Sequence, residues 1–404
     1  MKFSKFDLAE EIQFNLTEMK FFRTTDIQYR AIPPILNGED ILAVAQTGTG
    51  KTAAFAIPLV HLIHSRKVNK KNVGLKCIVL VPTRELAKQI GKVFNQVSKK
   101  TNVKCFAIYG GVEQDPQIAQ LTSGVDVLIA TPGRMFDLIA QGHLNPRTVD
   151  HLVLDEADQM LDLGFIEDIQ SIKRRLKNHH QTLFFSATIN PAIKKLAYSQ
   201  IRSSALRIQV SPKNLVSKNI AHSVSLVPMD SKRHLLVHFL TSNPESRTIV
   251  FVRTKVRAER VDAHLKKNGI EATKLHGDME QAERESSLSR FRDNQCNVMI
   301  ATDVSARGID VPGVSHVINY DLPDDPQNYV HRIGRTGRAF AKGDAISFYA
   351  PEEKEKLKKI EEFLQTEIQV LKVDSHYFEE QKPKVNLENQ SMADLLAEAE
   401  AEFR

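Results

Sequence analysis

The amino-acid sequence predicts an α/β protein built from two parallel-sheet domains in tandem. Short runs of apolar and β-branched residues alternate with helical patterns along most of the 404 residues, which is typical of βαβ units. The alternation stops at the polar, proline-containing residues 211–218 and then begins again. A chain of this length also exceeds what a single hydrophobic core usually accommodates.

The first domain is predicted over residues 1–210, a linker over 211–218 and the second domain over 219–372. Residues 373–404 are polar and acidic, and we expect them to form a flexible tail. The second domain is predicted to contain helices at residues 255–267, 281–292 and 352–365. Strands are predicted at residues 41–45, 77–81, 105–109, 125–130, 151–154, 182–185 and 206–210, then at 223–227, 248–252, 272–276, 297–301, 316–319 and 345–349.

Composition excludes several classes of protein. The chain is 42% hydrophobic and 26% charged, with a formal net charge of +6, so a polyanionic partner is allowed but not required. Its three cysteines are far apart and lack metal-ligand spacing, which favours a reducing compartment. No apolar run approaches the roughly 18 residues that span a bilayer. We therefore expect a cytoplasmic protein without a membrane partner.

Three acids follow the predicted strand 151–154 within four residues: Asp155, Glu156 and Asp158. The carboxyl ends of parallel strands are where open α/β sheets bind ligands. Acids also end strands simply because the following loop is wet, so this stretch alone leaves both interpretations open.

A phosphate-binding loop is predicted where the first strand ends. The loop fits the pattern G-x-x-x-x-G-K-[ST], except that alanine stands at the first glycine position. Glycines let backbone N–H groups turn toward phosphate oxygens, Lys51 supplies a positive charge, and the Thr52 hydroxyl can bind Mg²⁺. The loop consists of Ala45, Gln46, Thr47, Gly48, Thr49, Gly50, Lys51 and Thr52.

The phosphate-binding loop assigns chemistry to the acids. A nucleotidase with such a loop needs an aspartate at a second strand end to hold Mg²⁺, and a nearby group to position the attacking water. Asp155 suits the metal and Glu156 suits the water. The sequence therefore predicts ATP and Mg²⁺ as substrate and cofactor.

Further stretches resemble the motifs of the DEAD-box ATP-dependent RNA helicases, in that family's order, over roughly residues 6–370. Asp-Glu-Ala-Asp itself stands at 155–158. The other matching stretches are 82–87 (Pro-Thr-Arg-Glu-Leu-Ala), 110–111, 131–134, 186–188, 249–253, 301–310 and 331–338. The resemblance implies two RecA-like domains of helicase superfamily 2, in a compact member of bacterial type, that close on ATP and RNA together.

The resemblance also implies roles for individual residues. Arg335 and Arg338 are similar to the family's arginine fingers, and Gly308 and Asp310 to its second-domain nucleotide contacts. A solvated basic helix face is the alternative for the two arginines. The residues expected to couple the domains are Asp158, Ser186, Thr188 and His331.

Residues 21–28 resemble the family's adenine-recognition motif. Gln28 is expected to read adenine and Phe21 to stack on it, with Phe6 as further support, although packing against the first helix is the alternative for both rings. The family usually has glycine where Lys20 stands and proline where Thr24 stands.

RNA contacts are predicted at strand ends, where N–H groups, hydroxyls and cations can hold a nucleic-acid backbone of any sequence. A cap or turn role is the alternative for each threonine or glycine taken alone. The predicted contacts are Arg84, Gly110, Gly111, Thr131, Gly133, Arg134, Arg253, Gln281, Arg284 and Thr302.

Three functions remain open at this point: a helicase that unwinds RNA locally, an ATP-gated RNA clamp, and a DNA helicase of a related superfamily. The motifs disfavour the DNA helicase, and the clamp usually carries additional partner domains. We therefore expect an RNA helicase that acts as a monomer, with ribosome-assembly or RNA-decay proteins as candidate partners.

Overall fold

The computed structural model describes residues 1–46, 48–68, 74–176, 179–210, 216–306, 311, 313–337 and 341–371. The predicted tail at 373–404 and residues 211–215 of the predicted linker lie outside these ranges. Within the described ranges, no helix combines the length and the apolar character needed to cross a membrane.

The helices and strands alternate along the chain. The helices are α1 (Glu10–Glu18), α2 (Asp26–Leu36), α3 (Lys51–Val68), α4 (Arg84–Ser98), α5 (Asp115–Thr122), α6 (Pro132–Ala140), α7 (Ala157–Asp162), α8 (Ile166–Arg175), α9 (Pro191–Gln200), α10 (Lys232–Ser242), α11 (Lys255–Lys267), α12 (Gln281–Arg292), α13 (Asp303–Ala306), α14 (Pro326–Ile333) and α15 (Lys354–Leu364). The strands are β1 (Ile41–Ala45), β2 (Cys77–Leu80), β3 (Cys105–Ile108), β4 (Val127–Ala130), β5 (His151–Leu154), β6 (Gln181–Ser186), β7 (Leu206–Val210), β8 (Ile220–Leu226), β9 (Thr248–Phe251), β10 (Thr273–Leu275), β11 (Val298–Ala301), β12 (His316–Asn319), β13 (Gly343–Tyr349) and β14 (Gln369–Val370).

The first sheet has seven parallel strands in the order β3-β4-β2-β5-β6-β1-β7. Strand β6 lies between β1 and β5, so the segments that follow these three strands meet at one edge. Those segments are the phosphate-binding loop, the acids after β5 and residues 186–188. The topology therefore brings together motifs that are about 100 residues apart in the chain.

The second sheet also has seven parallel strands, in the order β10-β11-β9-β12-β13-β8-β14. Each of the thirteen predicted strands forms, within a few residues of its predicted bounds. β8 begins at Ile220 rather than at residue 223 because its pairing with β13 extends as far as Ile220, opposite Gly343. The prediction missed β14, a two-residue strand that pairs with β8 at the edge of the sheet.

Each sheet is covered on both faces. In the first domain, one core cluster contains Phe55 and Phe185, whose ring centroids are 5.1 Å apart, and a second cluster covers the other face. The second domain has a corresponding pair of clusters, one including α15 and the other including α10 and α11. Burial on both faces explains why the central strands are continuously apolar. Cys77, Cys105 and Cys296 are free thiols.

Candidate active site

A cleft of about 830 Å³ lies between the two domains. It opens at the carboxyl edge of the first sheet and is closed from the other side by the end of α14 and the residues after it. Residues from five separate motifs of the first domain and one of the second line it together. The lining side chains that carry charge or proton-transfer chemistry are Lys51, Asp155, Glu156, Lys218, His331 and Arg335.

The phosphate-binding loop has the backbone expected for an anion cradle. Gly48 and Gly50 have φ angles of +80° and +92°, which side chains rarely tolerate. The Thr49 hydroxyl donates to the Gln46 carbonyl at 2.7 Å. Lys51 begins α3 and is buried, yet its Nζ has no hydrogen-bond partner within the described residues. A buried ammonium without a partner is costly, so this loop fits an anionic phosphate. Thr47 lies outside the described residues.

Gln28 is buried in the cleft wall and joins two backbone segments. Its Oε1 accepts from the Thr25 N–H at 2.9 Å, and its Nε2 donates to the Gly50 carbonyl at 3.1 Å. A Cβ at Gly50 would lie 2.5 Å from that Nε2, so the glycine is required for this contact. The spacing from Thr25 to Gln28 is that of a helix capping box, a signal that the sequence analysis missed. One Nε2 hydrogen remains for a ligand.

Phe21 lines the cleft and packs against buried Phe3, with ring centroids 6.3 Å apart and planes at 21°. Phe3 also contacts Phe6 at 6.3 Å. The structure therefore places Phe21 beside the cleft and Phe6 behind it, within an aromatic cluster.

The two departures from the family pattern near Phe21 have local explanations. Lys20 has φ +59° at the end of α1, where the Phe21 N–H donates to the Leu16 carbonyl at 2.8 Å. This is the helix-ending geometry that glycine favours, so Lys20 adopts a strained backbone. The Thr24 N–H donates to the Met1 carbonyl at 3.0 Å, a bond that proline cannot make.

Asp155 and Glu156 follow β5 directly, and both are almost fully buried. Asp155 Oδ1 accepts from the Glu156 N–H at 3.0 Å. Burial raises the pKa of Asp155, and the positive charge of Lys51 opposes this rise. Glu156 has a left-handed backbone with φ +52°, and its Oε2 has no hydrogen-bond partner in the described part of the chain. Burial raises the pKa of Glu156 to about 7, again opposed by Lys51.

Asp158 connects the acidic loop to the end of β6. Its Oδ2 accepts from the Ala187 N–H at 3.1 Å, the Thr188 N–H at 3.0 Å and the Thr188 hydroxyl at 3.1 Å. Its Oδ1 accepts from the Gln159 N–H at 3.2 Å. Ser186 is buried and its hydroxyl accepts from the Thr188 N–H at 3.4 Å. The predicted coupling residues of the first domain thus form one hydrogen-bonded unit.

Arg335 reaches the cleft from the second domain. It is 7% exposed, and its Nε donates to the His331 carbonyl at 3.2 Å, which braces it against the end of α14. The pKa of Glu156 depends most on burial, then on Lys51 and then on Asp155. The positive charge of Arg335 makes the next contribution and lowers this pKa. Arg335 and Glu156 are therefore electrostatic neighbours across the cleft. The three other second-domain residues that were predicted for the ATP site, Gly308, Asp310 and Arg338, lie outside the described residues.

The predicted RNA contacts Arg84, Gln281 and Arg284 bond across the two domains. An Arg84 Nη1 donates to Gln281 Oε1, and Arg284 Nε donates to Glu85 Oε1 at 2.7 Å. Lys88 and Glu285 form a third pair beside them. The first domain therefore meets the second through the beginnings of α4 and α12. The sequence analysis missed Glu85 and Lys88, although both are in or next to a motif that it quoted.

Two more predicted RNA contacts are held by backbone or acidic groups. Arg134 Nη2 donates to the Val112 carbonyl at 2.8 Å. Arg253 Nη2 donates to Glu353 Oε1 at 3.0 Å, and the same carboxylate pairs with the fully buried Lys232. Nothing near Glu353 in the sequence signals this contact, because 100 residues separate it from Arg253.

The remaining predicted RNA contacts lie at the carboxyl edges of the sheets, in loops or, for Gly133, in the first turn of α6. Gly111 has φ +75° and packs under the Arg84 guanidinium. Thr131 precedes α6, which includes Gly133, and Thr302 follows β11. Gly110 is the second residue after β3.

Comparison with known proteins gives consistent relationships across nearly the whole chain. The DEAD/DEAH box helicase family model matches residues 25–196, and the helicase conserved C-terminal domain matches residues 231–340. The ATP-dependent RNA helicase CshA of Listeria monocytogenes is 40% identical over 370 residues, which cover 92% of this chain and 70% of that protein. The chain belongs to the DEAD-box helicase family.

Solved structures of DEAD-box proteins share the arrangement of both domains. Dbp5 of S. cerevisiae, bound to RNA and ADP BeF3, is 32% identical and has a TM-score of 0.81, covering 93% of this chain and 96% of that one. The DEAD-box helicase Mss116, bound to ssRNA and UDP-BeF, is 28% identical with a TM-score of 0.84, covering 93% of this chain and 81% of that one. The predicted family and the predicted fold of two RecA-like domains are confirmed.

Proposed function

We propose that this DEAD-box protein couples RNA-stimulated ATP hydrolysis to closure of its two domains, and thereby unwinds or remodels short stretches of RNA duplex. One observation supports this most strongly. Lys51 and the acids after β5 share a single cleft with Arg335 of the other domain. A site divided in this way is complete only when the domains are together, so hydrolysis depends on the domain arrangement.

In this proposal the first domain binds ATP. Backbone N–H groups of residues 48–50 and the buried Lys51 ammonium neutralise the phosphates. The remaining Nε2 hydrogen of Gln28 is donated to the adenine ring, and Phe21 supplies an apolar surface beside it. Thr52 and Asp155 provide the hydroxyl and carboxylate oxygens that Mg²⁺ prefers. When bound, Mg²⁺ would neutralise charge on the phosphate oxygens.

Glu156 is proposed to orient the attacking water. Its carboxylate is buried beside Lys51 and has one oxygen without a hydrogen-bond partner among the described residues. Arg335 then stabilises negative charge that develops on the transferred phosphoryl group, because a guanidinium in a water-poor cleft acts strongly on nearby oxygens. Asp158 transmits the arrangement of the acids to residues 186–188, and His331 contributes the corresponding contact from the second domain.

RNA is proposed to lie across both domains near the bonded pair Arg84 and Gln281. Basic side chains and loop N–H groups there suit phosphates and sugar hydroxyls rather than base edges. Bending of one strand during closure would separate a few base pairs. Action as a monomer, a cytoplasmic location and ribosome-assembly or RNA-decay partners stay predictions.

A substitution at Glu156 tests the hydrolysis mechanism. We expect Glu156→Gln to reduce RNA-stimulated ATP turnover by about 100-fold, while ATP binding measured by fluorescence titration stays within a few fold. Glu167→Gln is the matched control, because it makes the same chemical change at an exposed residue of α8. Unchanged turnover in Glu156→Gln would show that this carboxylate does not position the water.

The choice of nucleic acid tests the substrate class. Single-stranded RNA should stimulate ATP hydrolysis, whereas single-stranded DNA of the same sequence should stimulate it weakly or not at all. Equal stimulation by both would favour a DNA helicase. Unwinding of a short RNA duplex, followed by gel shift, separates the helicase from an ATP-gated clamp, which would hold RNA without releasing a strand.

A further inference from the structure

Helices α10 and α11 lie side by side on one face of the second sheet and carry an unusual distribution of charge. Their apolar sides belong to the same core cluster. Helix α10 contains lysine, arginine and two histidines but no acid. Helix α11 contains both signs of charge, so its contribution depends on the direction in which each side chain points.

The acids of α11 point away from α10, toward strand β10. Glu259 pairs with Lys274 at 2.6 Å and with His276 at 2.9 Å. Asp262 pairs with Lys266 at 2.9 Å and with Lys274 at 3.6 Å. These carboxylates are therefore neutralised on one side of the helix and leave the other side without acids.

The other side of α11 carries Arg260, His264 and Lys267, at the i, i+4 and i+7 spacing of one helical face. His264 meets His234 of α10 edge to face, with ring centroids 5.3 Å apart. Arg233 Nε donates to His234 Nε2 at 3.2 Å, which leaves that imidazole neutral. We name these five residues the basic seam: Arg233, His234, Arg260, His264 and Lys267.

Among the described residues, the cations of the basic seam have no acidic partner in an ion pair. Arg233, Arg260 and Lys267 are exposed, and within the described residues none of them forms an ion pair with a carboxylate. Burial, followed by the charges of His234, Arg233 and Lys267, lowers the pKa of His264. The contributions of His234, Arg233 and Lys267 are of the kind expected where positive charges lie close together.

The chemistry of the seam favours a phosphate backbone as its ligand. No three His, Cys, Asp or Glu side chains in the described ranges converge as metal ligands, and the neighbouring cations would repel a metal ion. A protein interface usually has an apolar or aromatic centre, whereas the exposed side chains of the seam are guanidinium and ammonium groups. Such groups, spaced along a helix, suit regularly spaced phosphates.

The position of the seam favours RNA as the source of those phosphates. At its upper end, Arg257 of α11 bonds to Asp321 at 3.1 Å and contacts Met229 just before α10. The Asp321 carboxylate also accepts from the backbone N–H of Arg253, a predicted RNA contact, at 3.0 Å. The seam therefore begins at the sheet edge where RNA is proposed to lie and continues down the outer face of the domain.

We propose that the basic seam binds the phosphate backbone of RNA that extends beyond the segment held between the two domains. This proposal rests on the proposed RNA-dependent function. It adds a second contact, which would anchor the protein to a folded part of the RNA while the two domains act on the adjacent strand.

The test compares two RNAs and two triple variants of the full chain. One RNA is a single strand of about 10 nucleotides, a length typical of one binding site, and the other is the same strand continued into a stable hairpin. The seam variant is Arg233→Gln, Arg260→Gln and Lys267→Gln. The control variant is Lys354→Gln, Lys358→Gln and Lys359→Gln, which removes the same charge from exposed positions of α15 on the opposite face of the sheet.

We expect the seam variant to bind the hairpin RNA about tenfold more weakly or worse, with the slope of log K against log salt reduced by about 2, since each lost phosphate contact contributes about 0.7. Its affinity for the short strand and its ATPase rate on that strand should match the wild type. The control variant should lose no more than about twofold on either RNA, because its cations are not beside the proposed RNA path.

Unchanged affinity of the seam variant for the hairpin RNA would overturn the proposal, as would equal losses in both triple variants or equal losses on both RNAs. Circular dichroism of each variant establishes that it is folded. If the wild-type protein shows no ATPase stimulation by either RNA, the proposed function fails instead, and this result is distinct from a failure of the seam alone.

Discussion

Replacing Asp158 with asparagine tests whether this side chain joins the acidic loop to residues 186–188. One carboxylate oxygen accepts three hydrogen bonds from Ala187 and Thr188, and the other accepts from the Gln159 N–H. Asparagine has only one acceptor oxygen. It can keep the three bonds only if its NH2 group faces the Gln159 N–H, which places two hydrogen-bond donors against each other.

The expected cost follows from these bonds. Hydrogen bonds to a charged group contribute about 1 kcal/mol more than neutral ones, and an unsatisfied buried N–H costs about 1–3 kcal/mol. Removing the buried negative charge offsets part of this cost. We therefore expect a loss of about 2–4 kcal/mol in the local stability of the end of β6. Thr188→Val removes one of the three bonds and should cost about 1.5 kcal/mol, the lower end for a bond to a charged group, because Thr188 is only partly buried.

Hydrogen exchange with mass spectrometry measures this loss directly in the peptide that contains residues 186–188. We expect faster exchange there in Asp158→Asn and, less strongly, in Thr188→Val, together with reduced RNA-stimulated ATP turnover. Asp137→Asn on the exposed face of α6 is the control and should change neither quantity. Wild-type exchange at residues 186–188 in Asp158→Asn would refute the inferred connection.

Three further predictions concern other residues. Gln28→Ala should raise the KM for ATP by about five- to tenfold, because it removes the single hydrogen bond, of roughly 1 kcal/mol, that Nε2 is proposed to donate to adenine, and it should reduce the preference for ATP over GTP in steady-state assays; equal losses for both nucleotides would mean that Gln28 only supports Gly50. Lys20→Gly should raise the free energy of unfolding by about 0.5–1 kcal/mol in urea titrations, because glycine relieves a left-handed backbone, and a decrease would contradict the inferred strain. Burial, opposed by the hydrogen bond to Gln181, lowers the pKa of His151 to about 4. The unfolded histidine binds a proton near pH 6.5, so the stability contributed by neutral His151 is present above that pH and is lost as the pH falls toward 4, by about 3 kcal/mol in total. Urea titrations of His151→Gln should lack most of this decline. An unchanged decline would assign it to other groups.

Most of the fold could be predicted from the sequence because its signals are local. A short apolar and β-branched run such as residues 77–80, bounded by polar and turn-forming residues, indicates a buried strand, and the glycines of the phosphate-binding loop mark the turn after β1. Edge elements were harder to predict. β14 has two residues, and it forms only because β8 offers an unpaired edge.

The candidate site was predictable in its parts but not in its connections. Lys51, Asp155 and Glu156 each belong to a short motif whose chemistry can be inferred from the sequence alone. The sequence does not indicate that Gln28 supports the Gly50 carbonyl or that Glu353 holds Arg253, since these partners are far apart in the chain. The same limit applies to Gln281 and Arg284, for which the motif suggests RNA and the structure shows bonds to the first domain.

By itself, the sequence determined the α/β class, the division into two domains, the phosphate-binding loop and the family. Only the tertiary structure decided how these parts work on one another. It placed Glu156 within the electrostatic reach of Arg335, about 180 residues further along the chain. It also turned the acids of α11 toward β10 and left the basic seam without an ion-paired acid among the described residues. The physical reason is that motifs depend on neighbours in the chain, whereas charge, burial and hydrogen bonding depend on neighbours in space.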